Sequence, residues 1–208
     1  MPEASGHSDF ISVNRLVMLI DGVFAITLTL LVLDLRPPEM GSLARDLARM
    51  APRLLVYLVA FYAIANEWVI HARTFRIIEQ ANSSLAWLSI ANLLFVTLLP
   101  ASTALVGRYP FEPLAAACFS ANHFFMSASV AAVWTYIYKK HAFLASKTDP
   151  KVLRGMARVW LYVSIGFVAA VPLGYVSTYV SLAFWVFWPY LVTTWWFRKG
   201  RKSLKSRE

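Results

Sequence analysis

Apolar residues run nearly unbroken from Leu16 to Leu35, interrupted early by the pair Asp21-Gly22. Comparable runs recur along the chain, each near the ~20 residues that an α-helix needs to cross the hydrocarbon of a bilayer. The pattern predicts six spans, at about 15–35, 54–72, 85–106, 113–137, 157–176 and 178–197. Only a few residues around Gly174 separate the last two. The fold class this implies is all-α and polytopic. Six spans use up most of the 208 residues, so the chain reads as one membrane domain, 1–208, without a soluble domain.

The polar stretches between the runs predict the turns. Pro37-Pro38 ends the first helix, because proline lacks a backbone donor and restricts the residue before it. In GSLARDLARMAPR, Leu43, Leu47 and Met50 fall at helical spacing among Arg45, Asp46 and Arg49. That is the pattern of a short amphipathic helix at the membrane interface, with a solvated loop as the alternative. The third helix is expected to end near Pro100 or shortly after it, RYPFEP leads into the fourth, and KTDPK at 147–151 is a turn. Gly166, Pro172 and Gly174 suit a kinked or closely packed fifth helix, and Trp185, Trp188, Trp195 and Trp196 load the sixth with interfacial aromatics.

Composition agrees with the pattern. Hydrophobic residues are 59% and charged residues 15%, against roughly 45–50% and 25% in soluble domains. The net charge of +9 invites a nucleic-acid reading, but its placement argues against one. Fourteen of the lysines and arginines follow the second span, surround the fourth connection or form the tail from Arg198 to Arg207; five, Arg36, Arg45, Arg49, Arg53 and Arg108, fall on the other side. Short cytoplasmic loops accumulate positive residues, so both termini are expected in the cytoplasm, with some attraction of the tail for anionic lipid. The first thirteen residues hold no Lys or Arg, and the first span reads as a retained helix rather than a leader. A single cysteine, Cys118, excludes an intrachain disulfide framework. Among His7, His71, His123 and His141 there is no metal-ligand spacing, and no nucleophile stands with a base, so neither an enzyme nor a resident cofactor is expected.

Polar residues enter the first three spans at one depth. Asp21 lies about 9 Å deeper than Arg15 at 1.5 Å per residue. The second span leaves the membrane through Asn66, Glu67, Trp68, His71 and Arg73; the third enters through Asn82, Ser83, Ser84, Ser89 and Asn92. The fourth adds Asn122 and His123 nearer its middle. Ionisable groups in a membrane pair with one another or mark a pathway. Both a structural clamp and an ion or proton relay fit this set. At about 100° per residue, with Gly22 set to zero, Ile26 falls at roughly 40°, Thr29 at −20° and Leu33 at 20°, while Asp21 falls near −100°. Gly22, Ile26, Thr29 and Leu33 therefore form one uncharged stripe with Leu30 at its edge. Such a stripe is a packing seam or the wall of a pore, and Asp21 points away from it.

These residues carry a family resemblance. Arg15, Asp21, Gly22, Val23, Phe24, Ala25 and Ile26 match the first-helix signature of the endosomal/lysosomal potassium channels, the transmembrane protein 175 family, in its prokaryotic six-helix branch. The second helix ends in Trp68-x-x-His71 as the family's does, and the run from Leu85 through Pro100 to Leu105 resembles its third. Leu19-Ile20 stands where the family has Phe-Ser, and Ser89 where it has asparagine. The resemblance implies a homotetrameric channel permeable to potassium, in a prokaryotic plasma membrane, with first helices around a fourfold axis. It implies a hydrophobic constriction at Ile26, Thr29 and Leu33, with Leu30 beside it, and a polar network of Arg15, Asp21, Trp68, His71, Ser89 and Asn92. Permeating monovalent cations, membrane lipid and further copies of the chain are its implied partners. The runner-up is a proton leak or proton-coupled carrier using Asp21, His71 and Glu67, although no internal repeat of the transporter kind is present.

Overall fold

The computed structural model describes residues 10–35 and 42–205. Pro37-Pro38, Arg36 and everything before Phe10, His7 included, lie outside the described residues, as does Arg207. Among the described residues there are six long helices: α1 (Val13–Leu30), α2 (Leu43–Phe75), α3 (Ser83–Arg108), α4 (Pro113–Lys139), α6 (Pro150–Val176) and α7 (Thr178–Lys205). A one-turn helix, α5 (His141–Leu144), lies between α4 and α6. Two short strands, β1 (Phe10–Ile11) and β2 (Ala81–Asn82), pair antiparallel. This pairing puts the start of α1 beside the start of α3 and so places the N-terminal segment and the α2–α3 turn on the same side.

Five of the helices, α1 to α4 and α6, are long and apolar enough to cross a membrane. At 28 residues α7 is long enough as well, but its Trp, Tyr and Thr residues dilute the apolar signal. The chain is an integral membrane protein.

One boundary differs from the sequence expectation. The segment expected to be a separate amphipathic helix is the first three turns of α2, which continues through Pro52 for 33 residues, about 50 Å at 1.5 Å per residue. That exceeds the ~30 Å of hydrocarbon, so its first turns stand beyond the span. The third helix ends shortly after Pro100 as expected: α3 passes through that proline and runs eight residues further, to Arg108. One missing donor does not end a helix whose other backbone bonds have no competing water, which is why prolines persist inside membrane helices. At its C-terminal end α1 tightens into a 3₁₀ turn, Leu31–Asp34, and leaves helical geometry at Leu35, before the proline pair.

Small residues decide how closely the helices approach. In lipid there is no hydrophobic drive between apolar helices, and close van der Waals packing takes its place. A Cβ at Gly155 would collide with the Trp196 ring, one at Gly166 with the Trp188 indole, and one at Gly174 would come within 2.8 Å of the Ala116 side chain. The glycines of α6 are thus sockets for α7 and α4. Trp188 Nε1 donates to the carbonyls of Tyr162 and Val163 (3.3 and 3.2 Å), and Trp185 Nε1 donates to Ser120 Oγ at 3.0 Å. On the side of the chain that carries the basic connections, Glu79 holds the α2–α3 turn to the α5–α6 turn. Its carboxylate accepts from Ser146 Oγ and from the Lys147 amide, and its own amide donates to the Leu144 carbonyl at 2.8 Å.

Candidate pore-lining helix and its polar support

Among the described residues, α1 is packed on one side only. Leu16, Ile20, Phe24, Thr27 and Leu31 are buried against α2 and α3, a set at helical spacing. The opposite stripe is open: Gly22, Ile26, Thr29, Leu30 and Leu33 are all exposed, Ile26 at 61% and Leu33 at 59%. A Cβ added at Gly22 would meet nothing within 4 Å. The only hydroxyl on the stripe, Thr29 Oγ1, donates to the Ile26 carbonyl at 2.7 Å and leaves no free donor facing outward. Five positions read from projection alone thus share one uncharged face without a partner among the described residues.

Asp21 sits off that stripe. Trp68 Nε1 of α2 donates to Asp21 Oδ1 at 2.8 Å. Behind it, one helical turn further along α2, the buried His71 ring packs on Phe24 of α1 (centroids 5.4 Å apart) and on Phe75 (6.1 Å). Its Nε2 lies 2.8 Å from Asn92 Oδ1 of α3. An amide oxygen only accepts, so Nε2 carries the proton and Nδ1 is left as a buried acceptor without a partner. The Asn92 amide turns the other way. It donates to Ser129 Oγ at 3.0 Å, to the Met126 carbonyl at 3.1 Å and, more weakly, to Glu67 Oε1 at 3.4 Å. Asn92 therefore joins α2, α3 and α4.

Of the six residues expected in a polar network, Trp68 joins Asp21, and His71 joins Asn92. Arg15 and Ser89 stay apart. Arg15 is exposed and takes no ion pair among the described residues. Ser89 is fully buried, but its hydroxyl donates back to the Leu85 carbonyl of its own helix at 2.9 Å. A serine is too short to reach across where an amide one turn later, Asn92, does so. Ser129 and the Met126 carbonyl were not anticipated, because a serine in an apolar run and a backbone carbonyl give no sequence signal. Ile20, where the family pattern has serine, is buried in the core, so packing replaces a hydroxyl there.

The family described as "Endosomal/lysosomal potassium channel TMEM175" matches residues 15–100, the stretch from the start of α1 through Pro100 of α3 that contains Asp21, Trp68, His71 and Asn92 but not their α4 partners. Over these residues the chain matches the TMEM175 family. Its relatives include "Potassium channel B446_29190" of Streptomyces collinus, 29% identical over 78% of this chain and 82% of that one. A shorter match, 28% identical over 49% of this chain and 21% of the other, is to the human "Endosomal/lysosomal proton channel TMEM175". The crystal structure of "a lysosomal potassium-selective channel TMEM175 homolog" from Chamaesiphon minutus superposes with a TM-score of 0.77. It covers 88% of this chain and 97% of its own at 21% identity, which shows the TMEM175 fold. The names in this family are those of ion channels, not enzymes.

Proposed function

We propose that this chain is one subunit of a homotetrameric, potassium-permeable cation channel whose pore is lined by α1. The observation that carries the reading is the division of α1 into a packed face and an uncharged, unpartnered one. Four copies around an axis would bring four Ile26 side chains together, with Leu30 and Leu33 toward one end and Gly22 toward the other. A narrow apolar ring restricts ions by size and by dewetting, without a filter of backbone carbonyls. Asp21, Trp68, His71 and Asn92 then serve as the support that fixes the rotation of α1, with Arg15 and Ser89 beside them. The whole chain, 1–208, acts as a single domain.

The charge asymmetry supports an orientation with both termini in the cytoplasm, and the prokaryotic relatives support a plasma-membrane location. In proteoliposomes, potassium flux is expected from the wild type and is expected to fall at least tenfold with a bulky Ile26→Trp ring. Undiminished flux in well-assembled Ile26→Trp would remove α1 from the pore.

A second reading, a proton leak or proton-coupled carrier through Asp21, His71 and Glu67, is favoured by the Asn92 bridge between His71 and Glu67 and by the human relative's name. Asp21 bonds to Trp68 rather than to either partner, which supports the clamp instead. Flux strictly tied to protons, and abolished in assembled Asp21→Asn, would reverse the order of the two readings.

A further inference from the structure

A cavity of about 370 Å³ opens where the C-terminal end of α1 meets the early turns of α2 and the last turns of α3. Leu31, Leu33 and Leu35 line it from the α1 side, Arg53 and Tyr57 from α2, and Arg108 from α3. The apolar runs of the first and third helices end near Leu35 and Val106, and that of the second begins at Leu54. The cavity therefore lies where hydrocarbon gives way to headgroups. A Cβ at Gly107 would lie 3.7 Å from Arg53 Cγ, so the Arg53 stem runs over the backbone next to Arg108. With about 3.8 Å between consecutive Cα atoms, Arg53 Cγ is within about 9 Å of the Arg108 Cα. That is inside the combined reach of the two side chains, so both guanidinium groups can meet one ion. Both arginines are exposed, which leaves them open to a ligand, and neither takes an ion pair among the described residues. Tyr57 lines the same cavity one turn along α2 from Arg53, and its hydroxyl has no hydrogen-bond partner among the described residues. No described Asp or Glu lines the cavity.

Charge and polarity select the occupant. Two arginines without a counter-charge repel cations. A purely apolar molecule gives the guanidinium groups nothing to bind. Water solvates them, as it does any exposed arginine, but gains nothing from the leucines. An oxyanion does more, because a guanidinium fork pairs with its oxygens through two parallel bonds, and a phosphate has enough oxygens for both arginines. The leucines on the α1 side suit a phosphate that carries an apolar tail, and basic pockets between membrane helices bind lipid headgroups on the same principle. A free phosphate presents the same oxygens without the tail.

We infer that this cavity binds one phosphate group per subunit, from a phospholipid headgroup or from free phosphate, between Arg53 and Arg108. The site meets the candidate pore helix at Leu33, which lines the cavity and also stands on the exposed stripe of α1. In the proposed tetramer the arginine pairs ring that end of the pore with positive charge, which opposes cation entry. A bound phosphate offsets that charge, so occupancy raises potassium flux. This coupling rests on the channel reading, whereas binding itself does not.

The test uses the purified full-length oligomer in an uncharged detergent and three probes: dihexanoylphosphatidate, inorganic phosphate, and dihexanoylglycerol, which has the same tails and no phosphate. Native mass spectrometry and titration calorimetry are expected to show saturable binding of the phosphatidate at one per subunit, and none of the dihexanoylglycerol. Displacement of the phosphatidate by inorganic phosphate supports the free ion as an occupant; phosphatidate binding that phosphate does not displace supports the lipid headgroup. Arg53→Gln and Arg108→Gln are each expected to weaken binding at least fivefold and together to abolish it. Arg45→Gln, which removes an exposed cation nearer the start of α2 that does not line the cavity, is expected to leave it unchanged. Thermal melting checks folding, and if the double variant does not fold, Ala104→Trp, which fills the cavity from α3, decides. Equal binding of dihexanoylglycerol, no binding of either phosphate probe, equal loss in Arg45→Gln, or unchanged affinity in the folded double variant or in Ala104→Trp overturns the site. Asp34 stands between Leu33 and Leu35 in the sequence, and binding that appears only in Asp34→Asn also overturns it, because the arginines are then neutralised within the chain. Potassium flux raised at least twofold by the phosphatidate in wild type, and unaltered in the double variant, supports the coupling. Binding without a change in flux, or a change that persists in the double variant, overturns the coupling while leaving the channel reading in place.

Discussion

At the scale of single residues, the question is what an aspartate does in a membrane helix. A carboxylate at the centre of a lipid-facing helix costs about 2.5–3.5 kcal/mol on insertion scales, and the 2.8 Å bond from Trp68 offsets part of that. Hydrogen bonds to charged groups contribute roughly 1.5–3 kcal/mol. Trp68→Phe keeps the ring and removes only the donor, so it should destabilise the subunit by about that amount in thermal unfolding in detergent. Asn92→Leu should cost more, on the order of 3 kcal/mol, because it strands His71 and Glu67 at once. If Asn92→Leu melts like wild type, the bridge has no structural weight. Asn92 and His71 were both legible as polar entries in apolar runs. Their pairing, and the exclusion of Ser89, depended on side-chain reach across a helix interface.

At the scale of elements, α6 and α7 are held by indoles seated over glycines. Gly166→Ala drives a methyl into the Trp188 ring and should destabilise by about 1–3 kcal/mol, as overpacking does. Trp188→Ala in the same chain should recover part of the loss, so a double-mutant cycle that is strictly additive would rule out this contact as the cause. Gly166 and Gly174 were recognisable as close-packing positions; that Trp188 fills the first and Ala116 faces the second was not.

The Glu79 clasp makes a pH-dependent element. The Lys147 backbone amide, helped by Ser146 and the Lys147 charge, holds the Glu79 carboxyl below the usual carboxylate range. A lowered folded value stabilises the ionised form, so the clasp is complete above the ordinary glutamate pKa, ~4.3, and is lost as pH falls through the lowered value. Amide exchange at Lys147, taken relative to its intrinsic rate at each pH, should therefore accelerate on acidification below about pH 4. In Glu79→Gln that acceleration should be absent, and a wild-type pH profile in the variant would exclude Glu79 as the titrating group.

For the whole molecule, the open stripe on α1 is a prediction about assembly. Gly22→Leu places its side chain where the subunit itself offers no obstacle. The subunit should therefore fold with near wild-type stability, while potassium flux or the yield of tetramer by native mass spectrometry falls several-fold. A stable, fully conducting Gly22→Leu tetramer would mean that the stripe faces lipid. Monomers as the sole species in wild type would exclude the axial pore altogether.

The sequence by itself determined the six apolar runs, their approximate limits, the signature around Asp21-Gly22 and the two faces of α1. These follow from length, hydropathy and the 3.6-residue period, which are local properties of the chain. Tertiary structure alone decided that α2 runs unbroken through Pro52, that Asn92 rather than Ser89 bridges three helices, and that Arg15 stands apart from Asp21. Those outcomes turn on which side chain reaches which neighbour once helices distant in sequence are packed, a distance that periodicity does not contain. The Asp21 carboxylate was visible from the start; its partner, Trp68, lies 47 residues away on the next helix.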